Sequence, residues 1–165
     1  MSLVHIAGIS TFCPQLEQST EVYQRVMSVN TGRCFYLTRA GVSAHAKGRI
    51  REDREHSIWY CLQPEAGLAA CAAPKSSVAA FPRTTVAEAG PGVTANVVSS
   101  GLILTETTWS LPNSKLVSGK VLEKQCVKRY GQPKYVARTI NCIARSETEF
   151  ITGQVFEVNG GMMLS

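Results

Sequence analysis

The segment Ala69-Ala70-Cys71-Ala72-Ala73-Pro74-Lys75-Ser76-Ser77-Val78-Ala79-Ala80-Phe81 sets one lysine in a run of small, mostly apolar residues. Desolvating a cation is costly unless something offsets it, so Lys75 needs a reason to be there. The alanine content favours a helix over residues 69–89. Pro74 and Pro82 oppose it, because each interior proline removes a hydrogen bond and clashes with the preceding turn, at about 3 kcal/mol. Cys71 and Lys75 stand four residues apart, on one face of such a helix.

Working outward, Gly90-Pro91-Gly92 ends the helix. Residues 93–98 read as a strand, followed by a turn at Ser99-Ser100-Gly101. Two further helices are expected over 111–130 and 133–145, with Pro133 suited to the first helical position. A last strand covers 150–158 and closes on Asn159-Gly160-Gly161. Upstream of the lysine, residues 57–62 are β-branched and aromatic, a buried strand whose Trp59 and Tyr60 point to opposite faces. Residues 48–56 form a charged loop, with His45 and His56 solvated at its flanks. Residues 18–47 have helical periodicity, with Val22, Val26, Val29, Phe35, Leu37 and Val42 as the buried stripe. Ser19 or Thr20 is the expected N-cap and Glu21 favours the first turn. Residues 3–9 form a short buried strand running into a turn, with His5 a satisfied polar residue. Strands alternating with helices predict an α/β fold with a mainly parallel sheet.

Composition bounds the function. The chain has 165 residues, 44% apolar and 18% charged, which suits one folded domain over 1–165. The net charge is +5, but the densest basic patch, 47–54, is interrupted by Glu52 and Asp53. That reads as a solvated surface loop, not a nucleic-acid site. The six cysteines show no C-x-x-C pair and no histidine at a metal-ligand offset, so they read as reduced core filler, with no metal site. Residues 1–10 lack the pattern of a signal peptide, and no stretch reaches the roughly 18 apolar residues that cross a bilayer. The cytoplasm is the expected compartment, with no membrane partner.

Four motifs stand in a telling order: Leu3-Val4-His5-Ile6-Ala7-Gly8, then Val29-Asn30-Thr31-Gly32, then Cys71-x-x-x-Lys75, then Asn96-Val97-Val98-Ser99-Ser100-Gly101-Leu102-Ile103-Leu104-Thr105. The segment Phe150-Ile151-Thr152-Gly153-Gln154-Val155-Phe156-Glu157-Val158-Asn159-Gly160-Gly161 follows. In order and spacing this resembles the C-terminal two-thirds of a short-chain dehydrogenase/reductase. The resemblance implies part of a Rossmann-type doubly wound parallel sheet, about four strands with flanking helices. It also implies NAD or NADP as cofactor and hydride transfer between a carbonyl and an alcohol. A Tyr-x-x-x-Lys pair does the family's acid–base work, since a nearby cation brings a phenol toward working pH. By that resemblance Lys75 is the lysine, which also holds the nicotinamide ribose, and Asn30 is the relay asparagine. Ala7 and Gly8 end the Asn-Asn-Ala-Gly motif, and Gly101 and Thr105 belong to the turn against the nicotinamide.

The departures matter as much. The tyrosine position is Cys71, whose thiol stops roughly 3–4 Å short of a phenol's reach on ordinary bond lengths; small helix filler is its plainer role. His5 and Ile6 replace the two asparagines, Ser100 replaces a proline, and no serine pair follows residues 57–62. No Gly-x-x-x-Gly-x-Gly loop occurs, although such a loop cradles the cofactor pyrophosphate. The reading is a reductase-like protein, truncated at its N-terminal nucleotide-binding half, with little or no activity by itself. The alternatives are a non-catalytic module that pairs with a full-length relative, and an oxidoreductase completed by a partner chain. An open edge at residues 3–7 predicts marginal stability or oligomerisation, and the resemblance implies a dimer surface on the helices over 18–47 and 69–89, which Pro74 and Pro82 oppose.

Overall fold

The computed structural model describes residues 3–46, 66–110 and 114–163. The expected loop at 48–56 and the strand at 57–62 therefore lie outside the described residues. Two parallel strands form the sheet among those described. β1, Val97–Ser100, pairs with β2, Val155–Val158, with Val97 opposite Val155 and Ser100 opposite Val158. This is the expected α/β class with parallel pairing; of the three expected strands that fall within the described residues, two form. Residues 3–13 run as irregular chain, so the strand expected at residues 3–7 is not present. In the family's strand order its neighbours would be residues 57–62 and a strand of the first half, to which no residue of this chain corresponds.

Both formed strands are shorter than expected, for one reason. The side chain of Asn96, 1% exposed, takes over local pairing. Its amide donates to the Ile151 carbonyl at 2.8 Å, and the Gln154 N–H donates to its oxygen at 3.1 Å. A side-chain amide that bonds backbone competes with a regular ladder, so pairing starts at Val97 and Val155. Phe150, expected in the last strand, is fully exposed. Ser99 and Ser100, expected in a turn, belong to β1.

The expected helix over 18–47 is three pieces: α1, Thr20–Met27; a π-helical turn, Ser28–Gly32; and α2, Arg33–Ala46. Ser19 is the N-cap, its hydroxyl accepting from the Val22 N–H at 3.2 Å. The buried positions are Val26, Asn30, Cys34, Thr38 and Gly41, while Val22, Val29 and Phe35 are exposed. A π turn inserts an extra residue and rotates every later position by roughly 100° against a 3.6-residue period. That displaces the expected stripe. His5, 5% exposed, packs beneath this helix with Nδ1 3.8 Å from Cys34 Sγ.

α3, Ala69–Ala89, runs through both prolines. Pro74 and Pro82 lie on the buried face with Ala70, Cys71, Val78 and Thr85, at spacings of three and four residues. Ring burial offsets part of the lost hydrogen bonding, and Ser77 donates to the Pro74 carbonyl at 2.7 Å. Gly90 caps the helix as expected. After β1 come α4, Glu106–Trp109, and α5, Ser114–Lys124. α5 ends short of residue 130 because the Lys128 ammonium donates to the carbonyls of Leu122 and Glu123, at 3.2 and 2.9 Å. Gln125 then turns inward and donates to the Asn159 carbonyl at 3.0 Å. α6, Pro133–Ile143, carries Pro133 in its first turn and covers the sheet. Val98, Val136 and Ile143 form the core there, with Ile103, Ile140, Phe156 and Val158 against it.

Candidate active site

Asn30 ties the irregular N-terminal segment to the helix above it. The Asn30 amide donates to the Ile9 carbonyl at 2.7 Å and accepts from the Ile9 N–H at 3.0 Å. Asn30 is 1% exposed and sits in the π turn, which aims it at a residue far away in sequence. It was expected either to serve a relay or to bond local backbone; the observed bonds tie the loop to the helix. They also fix Gly8, where a Cβ would lie 2.8 Å from Asn30 Oδ1. Ala7 is exposed.

A cavity of about 670 Å³ opens between this segment, α3, the end of β1 and α6. Its size is that of a small-molecule site. Gly8, Cys71, Lys75, Gly101 and Thr105 all line it. Of the residues singled out from the sequence, Asn30 and Ala7 are not among its walls; Asn30 acts on it through Gly8 and Ile9. Lys75, which looked buried in sequence, is half-buried on α3.

Cys71 is 3% exposed. Burial pushes its thiol pKa up, and the Lys75 ammonium pulls it down by less. The thiol is therefore protonated near neutral pH, neither a nucleophile nor a base. Gly101 is a glycine for packing: a Cβ there would lie 2.8 Å from the Asn159 Cα, a backbone atom. Thr105 caps α4 in a box with Thr108, donating and accepting between the two hydroxyls and backbones at 2.7 to 3.2 Å. Its hydroxyl is thus committed to the helix end.

The sequence reading missed the far wall. Val136, Ala137, Ile140 and Asn141 of α6 line the cavity, as does Ser100. The apolar spacing 136, 140, 143 marks α6 as a core helix, but nothing local ties it to Lys75. Among the described residues there is no group of His, Cys, Asp or Glu able to hold a metal ion, and no helix is long and apolar enough to cross a membrane.

Comparisons with known proteins agree with this geometry. The family pattern described as Enoyl-(Acyl carrier protein) reductase matches residues 2–163. A 3-oxoacyl-(acyl-carrier-protein) reductase of Synechocystis sp. is 32% identical over 164 residues, covering 98% of this chain and 64% of the relative. The short-chain reductase protein NovJ of Streptomyces niveus is 29% identical, over 96% of this chain and 63% of its own length. The chain thus spans just under two thirds of the length of these relatives. In three dimensions it is similar to a 4-hydroxyisoleucine dehydrogenase mutant solved with NADH and succinate, at a TM-score of 0.90 and 25% identity, over 98% of this chain and 68% of that one. A second structure of 4-hydroxyisoleucine dehydrogenase with NADH and succinate gives a TM-score of 0.87 at 24% identity, which speaks for the Rossmann-type fold. The chain belongs to the short-chain dehydrogenase/reductase family.

Proposed function

We propose that this chain is a reductase-like module in which the proton relay is broken, with little or no NAD(P)-dependent hydride transfer by itself. One observation carries the reading. Four residues before Lys75, where the family pattern has its tyrosine, stands a buried, protonated thiol too short to replace a phenol. Lys75 then has no phenol to tune.

The cavity fits one end of a nicotinamide nucleotide. Gly101 offers a flat wall, and Lys75 supplies a cation for ribose hydroxyls, as the resemblance implies. When bound, such a cofactor supplies the hydride. Thr105 fits less well, its hydroxyl being engaged by Thr108. The pyrophosphate has no counterpart to the glycine-rich loop anywhere in the 165 residues. NAD or NADP therefore binds weakly, with neither preferred by any residue here. Titrating purified protein with NADH and with NADPH tests this by fluorescence. Saturable quenching at micromolar cofactor, or turnover of any carbonyl compound, overturns the reading, and Cys71→Tyr alone is expected to gain no activity.

An interaction role is favoured by a separate observation. Val22, Tyr23, Val29, Phe35 and Tyr36 are exposed along α1, the π turn and α2, and Arg39 lies over the Phe35 and Tyr36 rings at 5.2 and 5.6 Å. Such a surface fits a homo-oligomer or pairing with a full-length relative. Completion of the active site by a partner chain is the variant that Cys71 argues against most directly. Light scattering after size exclusion tests oligomerisation; a stable monomer at micromolar concentration sinks it.

A further inference from the structure

Charge is unevenly placed along this chain. Residues 125–146 carry Lys128, Arg129, Lys134, Arg138 and Arg145, and no Asp or Glu. The rest of the chain holds 12 basic and 12 acidic residues, so the whole net charge of +5 belongs to this one segment. The basic run at 47–54 differs, because Glu52 and Asp53 interrupt it. All five cations of 125–146 are exposed. At about 100° per residue, Lys134 and Arg138 of α6, with Arg145 just past its end, fall within about 40° of one another. Val136 and Ile143 are buried on the opposite side. The Arg129 guanidinium and the Lys134 ammonium both lie over the Tyr135 ring, at 5.4 and 5.5 Å from its centre, which holds these two side chains in place. The Arg145 charge also acts on Glu147. Arg129, Lys134 and Arg138 are then the cations that a partner meets.

Three features select that partner. Protein interfaces set aromatic or aliphatic anchors in a core depleted of lysine, and the ring here, Tyr135, is taken up by its own cations. A membrane-surface helix inserts an apolar face, and the apolar face of α6 is buried against the sheet. Single-stranded nucleic acid stacks its bases on free rings, which Tyr135 does not offer. We infer that Arg129 and the exposed stripe of α6 dock the phosphate backbone of duplex nucleic acid, without reading its sequence. Two of the three cations are arginines, whose planar fork matches a phosphate group.

Fluorescence anisotropy of a labelled duplex DNA of mixed sequence, about 20 base pairs long, tests this on the full chain. Three phosphate contacts predict a slope of about −2.7 for log affinity against log salt, and so roughly twentyfold tighter binding at about 50 mM salt than at about 150 mM. The double variant Lys134→Ala, Arg138→Ala is expected to cut that ratio to about threefold. The double variant Arg25→Ala, Arg83→Ala removes the same charge from exposed positions on α1 and α3, and is expected to leave the ratio near twentyfold, on the order seen for the unaltered chain. Alanine suits a helix at all four positions, so both variants keep the fold. No binding, an equal fall in the two double variants, or a preference for one DNA sequence overturns the inference. So does tighter binding to poly-glutamate or to phosphatidylserine vesicles, which would make the partner a protein or a membrane.

Discussion

Replacing Asn30 by alanine tests what holds the cavity's N-terminal wall. The residue is 1% exposed and makes two hydrogen bonds to the Ile9 backbone, at 2.7 and 3.0 Å. At about 0.5–1.5 kcal/mol net for each bond, the pair contributes about 1–3 kcal/mol. Ile9 is itself 36% exposed, so water partly replaces the lost amide. We expect Asn30→Ala to lower stability by about 2 kcal/mol in urea denaturation. Asn30→Asp sharpens the test. The introduced carboxylate still accepts from the Ile9 N–H but turns a lone pair toward the Ile9 carbonyl. Burial and that repulsion raise its folded pKa above the ordinary value of about 3.9. Between the two pKa values the native state binds more protons than the unfolded state, so stability falls as pH rises. The aspartate variant should therefore regain stability as pH drops from 7 toward 4, by protonation that restores a donor. A loss below about 0.5 kcal/mol for alanine, or no such recovery for aspartate, would refute the stapling role.

Three other perturbations have defined outcomes. Cys71 should react with iodoacetamide more slowly than the exposed Cys126 and Cys142, with a rate still climbing above the ordinary thiol range near pH 8.5. Because its folded pKa is raised, the unfolded chain loses that proton first, so stability should fall as pH rises past about 8.5, and Cys71→Ala should remove that slope in urea midpoints. Gly101→Ala forces a Cβ to 2.8 Å from the Asn159 Cα, and should cost about 1–3 kcal/mol by the same assay; an unchanged midpoint would show that the β1–β2 end yields easily. Pro82→Ala sets a regained helical hydrogen bond, with a proline penalty of about 3 kcal/mol, against two buried methylenes worth about 1.6 kcal/mol and a residual cavity. A gain of about 1 kcal/mol is expected, and a loss of that size would mean that the ring fills its site better than a helix there needs.

What was legible in the sequence is what local chemistry fixes. Ser19 capped α1, Pro133 opened α6 and Gly90 closed α3 because each acts on backbone within a few residues. Several misplacements came from distant partners. Asn96 replaced ladder bonds across more than fifty residues of chain and shortened both strands. The π turn has no local sequence signal; it carries Asn30, which bonds Ile9, and after it the buried positions are Cys34, Thr38 and Gly41. The prolines of α3 misled in the same way: propensity weighs an exposed helix, and these rings are buried.

The site divides along the same line. Cys71 and Lys75 shared a face because four residues is one turn, and that much needed no fold. Gly8 and Gly101 entered as motif positions, but their reasons are steric and non-local, a close amide in one case and a close Cα in the other. Those contacts belong to the framework, and they hold whichever side chain stands at position 71. A small buried thiol fits the packing of α3 against the cavity, at 3% exposure. The framework is specified many times over by backbone contacts, whereas the acid–base step depends on one phenol. The proposed break in the proton relay at Cys71 is therefore compatible with Lys75, both glycines and the chamber staying in place.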